Sequence, residues 1–337
     1  MNLKTLALSL SLAGSHAVAD HTGLRFLELE APHHERTIET AIWYPSDGSG
    51  NQIVFGENRV FRGVTVRDGA GIGEGRFPLV LLSHGMGGTI RSLSWLSAGL
   101  AERGAIVISV NHPNSTWGDF DLAASVQHWT RVQDLSRALD WVLNDDGLVQ
   151  YLDRARIMAV GFSFGGWTAL SMGGLRANHE GIVASCRRLR EALELCDELL
   201  SDAVNLPAFD PAPWNANYRD DRVTHVAAID PGLVWGLDQN DTRDLIEEVT
   251  LIGLGDGDSR LLATDFDASG LLELLSGSKV RRIRPAMHFT ALPPCQPTGE
   301  LILREENDDP VCTDPAGTNR EAVHASILSQ IASDLGL

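Results

Sequence analysis

The chain has 337 residues, of which 43% are hydrophobic, and its formal net charge at pH 7 is −18. This length and apolar content are enough to bury a sizeable core, as expected of an ordinary globular protein of one large or two small domains. The strongly acidic balance argues against nucleic acid as a partner, because such a surface repels phosphate backbones.

The first 19 residues have the pattern of a secretory signal peptide. Lys4 precedes an apolar stretch over residues 6–14, and Ala17-Val18-Ala19 forms a small-x-small cleavage site. The stretch is too short to span a bilayer, and no cysteine follows it to carry a lipid. We therefore expect residues 1–19 to be removed and residues 20–337 to form an exported domain, periplasmic or secreted, without a stable membrane anchor.

Alternating apolar and helical patterns follow along the rest of the chain. Apolar runs predict eight strands, at 24–29, 40–44, 79–83, 105–110, 156–160, 223–229, 248–254 and 279–283. Helical spacing appears at 90–102, 131–144, 164–176 and 319–335. The pattern predicts an α/β fold with a mostly parallel, eight-stranded sheet flanked by helices. Since no helix separates the first two strands, we expect an antiparallel edge there.

Residues 177–220 break this alternation. A charged amphipathic stretch is followed by a segment rich in proline, asparagine and aromatic residues. We interpret 177–220 as an insertion over the carboxyl edge of the sheet, a lid or cap. The alternative is a peripheral helical excursion that covers nothing.

The four cysteines suggest two disulfides in an exported chain. We favour the local pairs Cys186–Cys196 and Cys295–Cys312 among the three connectivities. In one unbroken helix Cys186 and Cys196 would lie about 15 Å apart, so their pairing requires a helix break between them. No Cys-x-x-Cys or Cys/His spacing supports zinc as the alternative.

The stretch "RIMAVGFSFGGWTAL", residues 155–169, places Ser163 in a Gly-x-Ser-x-Gly motif. The motif alone is a weak signal in a chain with 33 glycines. Its context is more specific, because an apolar strand precedes it and a helical stretch follows, as in a nucleophile elbow. We therefore predict that Ser163 is a nucleophile, the alternative being a small residue in a tight turn.

A second glycine-rich turn, "SHGMGG" at 83–88, follows the third apolar run. Glycines there allow backbone N–H groups to turn inward toward a developing oxyanion. We predict that the donors are the amides of Met86 and of Phe164, the residue after the nucleophile.

His288 is the predicted general base. It comes directly after the last strand and before the last helix, and it follows the serine and the candidate acids in the order expected for this arrangement. The positions of the other histidines do not indicate a catalytic role. His33 and His34 lie between the first strands, His225 lies in a strand, and His128 and His179 occupy positions that we expect to be solvated.

Two strand ends offer the acid. Asp230 ends one strand, and Asp256 or Asp258 follows the next. Either end could bring a carboxylate to the far nitrogen of His288, so the residues alone leave the choice open.

Several stretches together resemble the α/β-hydrolase superfamily, and within it the platelet-activating-factor acetylhydrolase and dienelactone-hydrolase-like serine esterases. They are "AIWYP" at 41–45, "SHGMGG" at 83–88, "GFSFGG" at 161–166, "AIDPGLVW" at 228–235 and "MHFTALPPC" at 287–295. The resemblance to the acetylhydrolases places the acid at Asp230 and the oxyanion amides at Met86 and Phe164. The usual superfamily position, one strand later, corresponds to Asp256 or Asp258. We favour Asp230.

This chain differs from the two esterase groups in two features that bear on its substrate. The 177–220 insertion is longer than that of the acetylhydrolases, so their lipid specificity is not assumed. Dienelactone hydrolases use a cysteine nucleophile where this chain has Ser163, so we do not expect lactone chemistry.

The sequence predicts an exported serine hydrolase that cleaves short-chain or lipid-like carboxylic esters through an acyl-enzyme. The expected partner is a small-molecule ester, no metal or organic cofactor is implied, and activity should fall below roughly pH 6 to 7 because the base must be neutral. The alternatives are a peptidase or amidase, a polymer-surface hydrolase using Trp214, Trp235 and Phe209, and a non-catalytic binding protein.

Overall fold

The computed structural model describes residues 22–337, so the predicted signal peptide lies outside the described residues. Within this range, ten strands form one sheet in the order β12-β11-β10-β9-β5-β6-β2-β1-β4-β3, and β7 and β8 form a separate hairpin. The strands are β1 (Thr22–Ala31), β2 (Arg36–Pro45), β3 (Asn51–Phe55), β4 (Val64–Asp68), β5 (Phe77–Ser83), β6 (Ile106–Val110), β7 (Ser115–Thr116), β8 (Asp119–Phe120), β9 (Leu152–Phe162), β10 (His225–Ile229), β11 (Val249–Leu254) and β12 (Lys279–Ile283).

Helices cover both faces of this sheet. The α-helices are α1 (Ser94–Glu102), α2 (Leu122–Ser125), α3 (Trp129–Asn144), α4 (Phe164–Met172), α5 (His179–Arg188), α6 (Cys196–Leu199), α7 (Pro211–Trp214), α8 (Leu271–Leu274), α9 (Gly299–Glu306) and α10 (Arg320–Leu335). Short 3-10 helices occupy Pro32–His34, Val149–Tyr151, Leu206–Ala208, Gly257–Ser259, Leu262–Thr264 and His288–Ala291. No helix in residues 22–337 is both long and apolar enough to span a bilayer.

The predicted α/β fold and antiparallel edge are confirmed, but the predicted number of eight strands is wrong. Strands β5, β6 and β9 to β12 run parallel, whereas β2 pairs antiparallel with both β1 and β6. The two additional strands, β3 and β4, form an antiparallel edge in which four of the five β3 residues are exposed. Their apolar stretches are short, Ile53-Val54-Phe55 in β3 and the alternating Val64 and Val66 in β4, so the sequence pattern did not indicate these strands.

Two cores lie on the two faces of the sheet, because successive strand side chains point to opposite sides. In β5, Leu79 and Leu81 pack on the face covered by α3 and α4, and Val80 and Leu82 pack on the face covered by α1 and α10. The crossovers leave the carboxyl ends of β5, β6, β9 and β10 at one edge of the sheet. The loops that follow these strands therefore meet there.

Both favoured disulfides are formed. Helix α5 ends at Arg188 and α6 begins at Cys196, and this break brings the Cys186 and Cys196 Cα atoms to 5.1 Å. Cys295 and Cys312 join the segment after His288 to the loop before α10.

Three histidines are buried in the helical layers, namely His128, His179 and His324. His128 lies edge-on to Trp167 and Trp214 and donates to Trp214 O from Nε2 at 3.0 Å, while His324 stacks on Trp95 with ring centroids 3.8 Å apart. Burial lowers the pKa of both His128 and His324 from 6.5 to about 4. His128 and His324 are therefore neutral in the folded protein at pH 7. The expected solvated positions of His128 and His179 are both wrong, because His179 is also buried and its Nε2 lies 2.8 Å from Leu206 O.

The pKa shifts of His128 and His324 predict acid destabilisation. Between pH 6.5 and about 4 the unfolded chain binds protons that the folded chain excludes, so the free energy of unfolding is highest above pH 6.5 and falls as the pH decreases. Each histidine contributes about 1.4 kcal/mol per pH unit in this window. Urea unfolding at a series of pH values from 7 to 5 measures how steeply the free energy of unfolding changes with pH. In His324→Gln this slope should be smaller by the contribution of one histidine. An unfolding free energy that stays constant over this range would contradict the prediction.

Candidate active site

Ser163 lies in the turn between β9 and α4, in a backbone conformation that few side chains adopt. Its φ is 57° and its ψ is −123°. The turn is held from two sides, because Ser163 N–H donates to Ile229 O at 2.9 Å and Ser163 O accepts from Gly232 N–H at 2.9 Å. Such strain persists where the surroundings determine it, and it is concentrated at functional sites.

Two glycines around Ser163 are required by close backbone approach. A Cβ on Gly161 would lie 1.9 Å from Gly165 O, and a Cβ on Gly165 would lie 2.1 Å from Ser83 O. The first contact lies within the turn, and the second joins the start of α4 to the end of β5. The Gly-x-Ser-x-Gly pattern thus follows from the packing of this turn.

We expect Gly165→Ala to lower the free energy of unfolding by about 3 kcal/mol or more, since the clash is with backbone that cannot move aside. Gly277→Ala is the matched control, because a Cβ there meets nothing within 4 Å, and it should change stability by no more than about 0.5 kcal/mol. Chemical denaturation of the two variants and the unaltered protein compares them. Equal stability of both variants would refute the packing argument.

His288 begins the 3-10 helix that follows β12, and it lies against the turn that carries Ser163. Its Nε2 is 3.0 Å from Ser163 Oγ, and its Nδ1 is 2.8 Å from Asp230 Oδ2. The ring also packs on Phe162, with centroids 4.6 Å apart. The structure therefore brings Ser163, His288 and Asp230 into one hydrogen-bonded series.

Asp230 is fully buried directly after β10, where its φ of 46° turns the side chain toward His288. Its Oδ1 accepts from Leu254 N–H at 2.9 Å, and its Oδ2 accepts from Thr264 Oγ1 at 3.2 Å as well as facing His288. The guanidinium of Arg260, which is also largely buried, contacts Oδ1. These hydrogen bonds and the positive charge of Arg260 thus compensate the cost of burying the Asp230 carboxylate away from solvent.

The two alternative carboxylates do not contact His288. Asp256 is exposed and forms an ion pair with Arg284 at 3.0 Å, and Asp258 is exposed in the 3-10 helix Gly257–Ser259. The Asp256 loop instead provides Arg260, a contact of Asp230 that the sequence analysis missed.

The loop after β5 places Met86 beside the turn of Ser163, and Met86, Ser163 and Phe164 line one cavity. A Cβ on Gly85 would lie 3.2 Å from Ser163 Cβ, so the loop passes directly beside the serine. Gly87 N–H and Gly88 N–H are used by Ser115 O and Gly85 O. Within residues 22–337, the N–H groups of Met86 and Phe164 have no such acceptor and are free to bind a ligand oxygen.

Arg131 of α3 supports this loop from beneath and was also missed. Although only 1% exposed, it donates to Ser83 Oγ at 3.1 Å and to Ser115 Oγ at 2.6 Å, and it contacts His84 O. Its Nε donates to Thr168 Oγ1 at 3.1 Å, which joins the loop to α4. Burial lowers the pKa of Arg131 to about 9, so it remains a cation at pH 7.

A cavity of about 130 Å³ opens beside Ser163. Its wall is mostly apolar and includes Met86, Phe164, Ile182, Leu233 and Trp235. Residues 177–220 contribute Leu193, Glu194, Leu195, Leu199 and the Cys186–Cys196 disulfide, so this insertion covers one side of the cavity. Of the three aromatic residues considered for a cleft, only Trp235 lines it. Trp214 and Phe209 pack against each other, with ring centroids 6.2 Å apart.

The fold agrees with the comparisons to known proteins. The profile of the alpha/beta hydrolase family matches residues 79–328, which is most of the chain. The chain therefore belongs to the alpha/beta hydrolase family. No curated protein matches it in sequence.

Three solved structures share the fold at low sequence identity. A ferulic acid esterase from Streptomyces cinnamoneus has a TM-score of 0.58 and 19% identity, covering 96% of this chain and 91% of its own. The dienelactone hydrolase-like promiscuous phosphotriesterase P91 from metagenomic libraries has a TM-score of 0.52 and 14% identity, and the match covers 94% of this chain and 99% of that protein. A putative dienelactone hydrolase from Klebsiella pneumoniae subsp. pneumoniae MGH 78578 has a TM-score of 0.50 and 12% identity, and the match covers 93% of this chain and 99% of that protein.

Proposed function

We propose that the protein is a serine hydrolase of carboxylic esters, with Ser163 as nucleophile, His288 as general base and acid, and Asp230 as the acidic partner. The observation that carries the proposal is the series Ser163 Oγ to His288 Nε2 at 3.0 Å and His288 Nδ1 to Asp230 Oδ2 at 2.8 Å, at the wall of an apolar cavity.

In the first half of the reaction, His288 Nε2 accepts the Ser163 proton while Ser163 Oγ attacks the ester carbonyl carbon. The carbonyl oxygen becomes an oxyanion, which the N–H groups of Met86 and Phe164 stabilise. His288 then donates its proton to the leaving alcohol oxygen, and the acyl group remains on Ser163. Asp230 holds the imidazole with Nδ1–H toward the carboxylate, so that Nε2 is the basic nitrogen.

In the second half, water takes the place of the alcohol. His288 removes a proton from the water, the resulting hydroxide attacks the acyl carbon, and the same two amides bind the oxyanion. Collapse of the intermediate breaks the bond to Ser163 Oγ, which recovers its proton from His288 and releases the carboxylic acid.

The cavity supports a small apolar acyl group as the preferred substrate. Its wall beside Ser163 is formed by side chains such as Ile182, Leu233 and Trp235, and its volume leaves space for a short chain. We propose that residues 177–220 act as a cap that closes this cavity, with the Cys186–Cys196 disulfide fixing its fold. The two disulfides also support export to an oxidising compartment.

Turnover of a p-nitrophenyl ester series from acetate to palmitate tests this function. We expect hydrolysis of the short esters with a steep decrease as the chain outgrows the cavity, and slower release from the p-nitroanilide with the same acyl group. Faster anilide than ester turnover would favour the amidase alternative. A folded protein that hydrolyses none of the esters would refute the proposal.

A further inference from the structure

A second cluster of polar side chains lies outside the Ser163 site, at the same edge of the sheet. His33 and His34 belong to the 3-10 helix between β1 and β2, and Asp134 belongs to α3. His33 Nε2 lies 2.8 Å and His34 Nε2 lies 3.1 Å from the same oxygen, Asp134 Oδ1. The three ligand atoms all lie within 4.8 Å of one another.

The His34 imidazole has an unsatisfied buried nitrogen. Its side chain is only 6% exposed, and its Nε2 makes no hydrogen bond of acceptable geometry although Asp134 Oδ1 is 3.1 Å away. A buried polar atom without a partner costs free energy, so the arrangement calls for a further group between the three atoms. A cation bound there would accept lone pairs from His33, His34 and Asp134 together.

The donor set indicates which cation fits. Two imidazole nitrogens and one carboxylate oxygen suit zinc and the neighbouring divalent transition metals, whereas calcium and magnesium prefer oxygen ligands alone. Three protein ligands leave a fourth tetrahedral position for water, and His33 is 18% exposed, which provides a path from solvent. We propose that His33, His34 and Asp134 form a binding site for Zn²⁺.

The second oxygen of Asp134 connects this site to the loop beside Ser163. His112 Nδ1 donates to Asp134 Oδ2 at 2.8 Å, and His112 Nε2 accepts from Ser83 Oγ at 2.9 Å. Ser83 directly precedes His84 and also accepts from Arg131. Such outer hydrogen bonds orient metal ligands, and here they let the metal stiffen the loop that carries Met86. Its role is structural, since the hydrolysis derived above takes no step at this site.

Zinc binding by the stripped full-length protein tests the proposal. After treatment with a chelator and removal of the chelator, titration with ZnCl₂ is followed by calorimetry, and thermal unfolding is recorded with and without Zn²⁺. His33→Ala and His34→Ala remove one ligand each. His225→Ala is the matched control, because His225 lies at the start of β10, at the opposite edge of the sheet.

We expect one Zn²⁺ per chain, with binding at least about tenfold weaker in each ligand variant and unchanged in His225→Ala. Zinc should raise the unfolding midpoint of the unaltered protein and the control, and less so that of the ligand variants. CoCl₂ should give the visible absorption bands of a nitrogen-ligated site in the unaltered protein, which decides the matter if a variant fails to fold. Equal zinc affinity in all four proteins, or no binding by the folded stripped protein, would overturn the proposal.

Discussion

Replacement of Ser163 by alanine is expected to reduce kcat for an activated ester by about 10⁴-fold or more, leaving the fold intact. In the proposed mechanism Ser163 Oγ is the atom that bonds to the acyl carbon, and no other hydroxyl is hydrogen-bonded to His288 Nε2 within the described part of the chain. The exposed Ser276 gives a matched control, and Ser276→Ala should keep full activity. Steady-state kinetics on p-nitrophenyl butyrate, with circular dichroism to verify folding, measures both variants.

A Ser163→Ala protein that retains more than a tenth of the activity would mean that another group attacks the ester. The control excludes a general effect of removing a hydroxyl from the surface. Because alanine at Ser163 has the same φ of 57° to adopt as serine, the variant introduces no new backbone strain.

Asp230→Asn is expected to lower kcat by about 10⁴-fold at pH 7. Leu254 N–H and Arg260 both donate to Oδ1, so the amide oxygen of asparagine would take that position and its NH2 would face His288 Nδ1. The imidazole would then carry its proton on Nε2, which is the wrong tautomer for the proposed mechanism, and the charge proposed to stabilise protonated His288 would be lost. Arg260 would also lose the negative charge of its largely buried ion-pair partner, so the variant should be less stable. The pH dependence of kcat separates these effects, because the loss from a wrong tautomer should diminish at high pH and the loss of stability should not follow that course.

Asp256→Asn is the control for the acid. Asp256 is exposed and paired with Arg284, and an exposed ion pair contributes about 1 kcal/mol or less, so kcat should change by less than about threefold. If Asp256→Asn were the more damaging of the two variants, the acid would be the one in the later strand loop and Asp230 would have only a structural role.

The strands could be predicted where burial leaves a trace in the sequence. The runs that became β5, β6, β9, β10 and β11 are buried on both faces and are therefore continuously apolar. Strand β3 is mostly exposed and β4 only partly buried, and their short mixtures of polar and apolar residues do not distinguish a strand from a loop. Their pairing depends on contacts with β1 and with each other, which no local pattern encodes.

The candidate site was predictable to the same extent. The turn around Ser163 and the histidine loop can be identified from local sequence, and the structure brings Ser163 and His288 together. The acid was ambiguous because Asp230 and Asp256 both follow strands. What separates them is the direction of the chain after β10, where Asp230 adopts a positive φ.

Arg131 and Asp134 were missed although helix α3 contains a signal for them. In "RVQDLSRALDWVLN" they occupy the same stripe as Leu135, Ala138 and Val142, which are all buried. Charged residues on an apolar stripe indicate a buried polar network. The histidines that complete this network, His33 and His112, come from distant parts of the chain, so their convergence appears only in the folded structure.

The most direct test of the proposed function is labelling with a fluorophosphonate followed by mass spectrometry of the digested protein. A reactive serine forms a covalent adduct with this probe, whereas an ordinary serine in a turn does not. We predict one adduct, on the peptide that contains Ser163, and its loss in Ser163→Ala. An adduct on a different residue, or none on the folded protein, would contradict the assignment of Ser163 as the nucleophile.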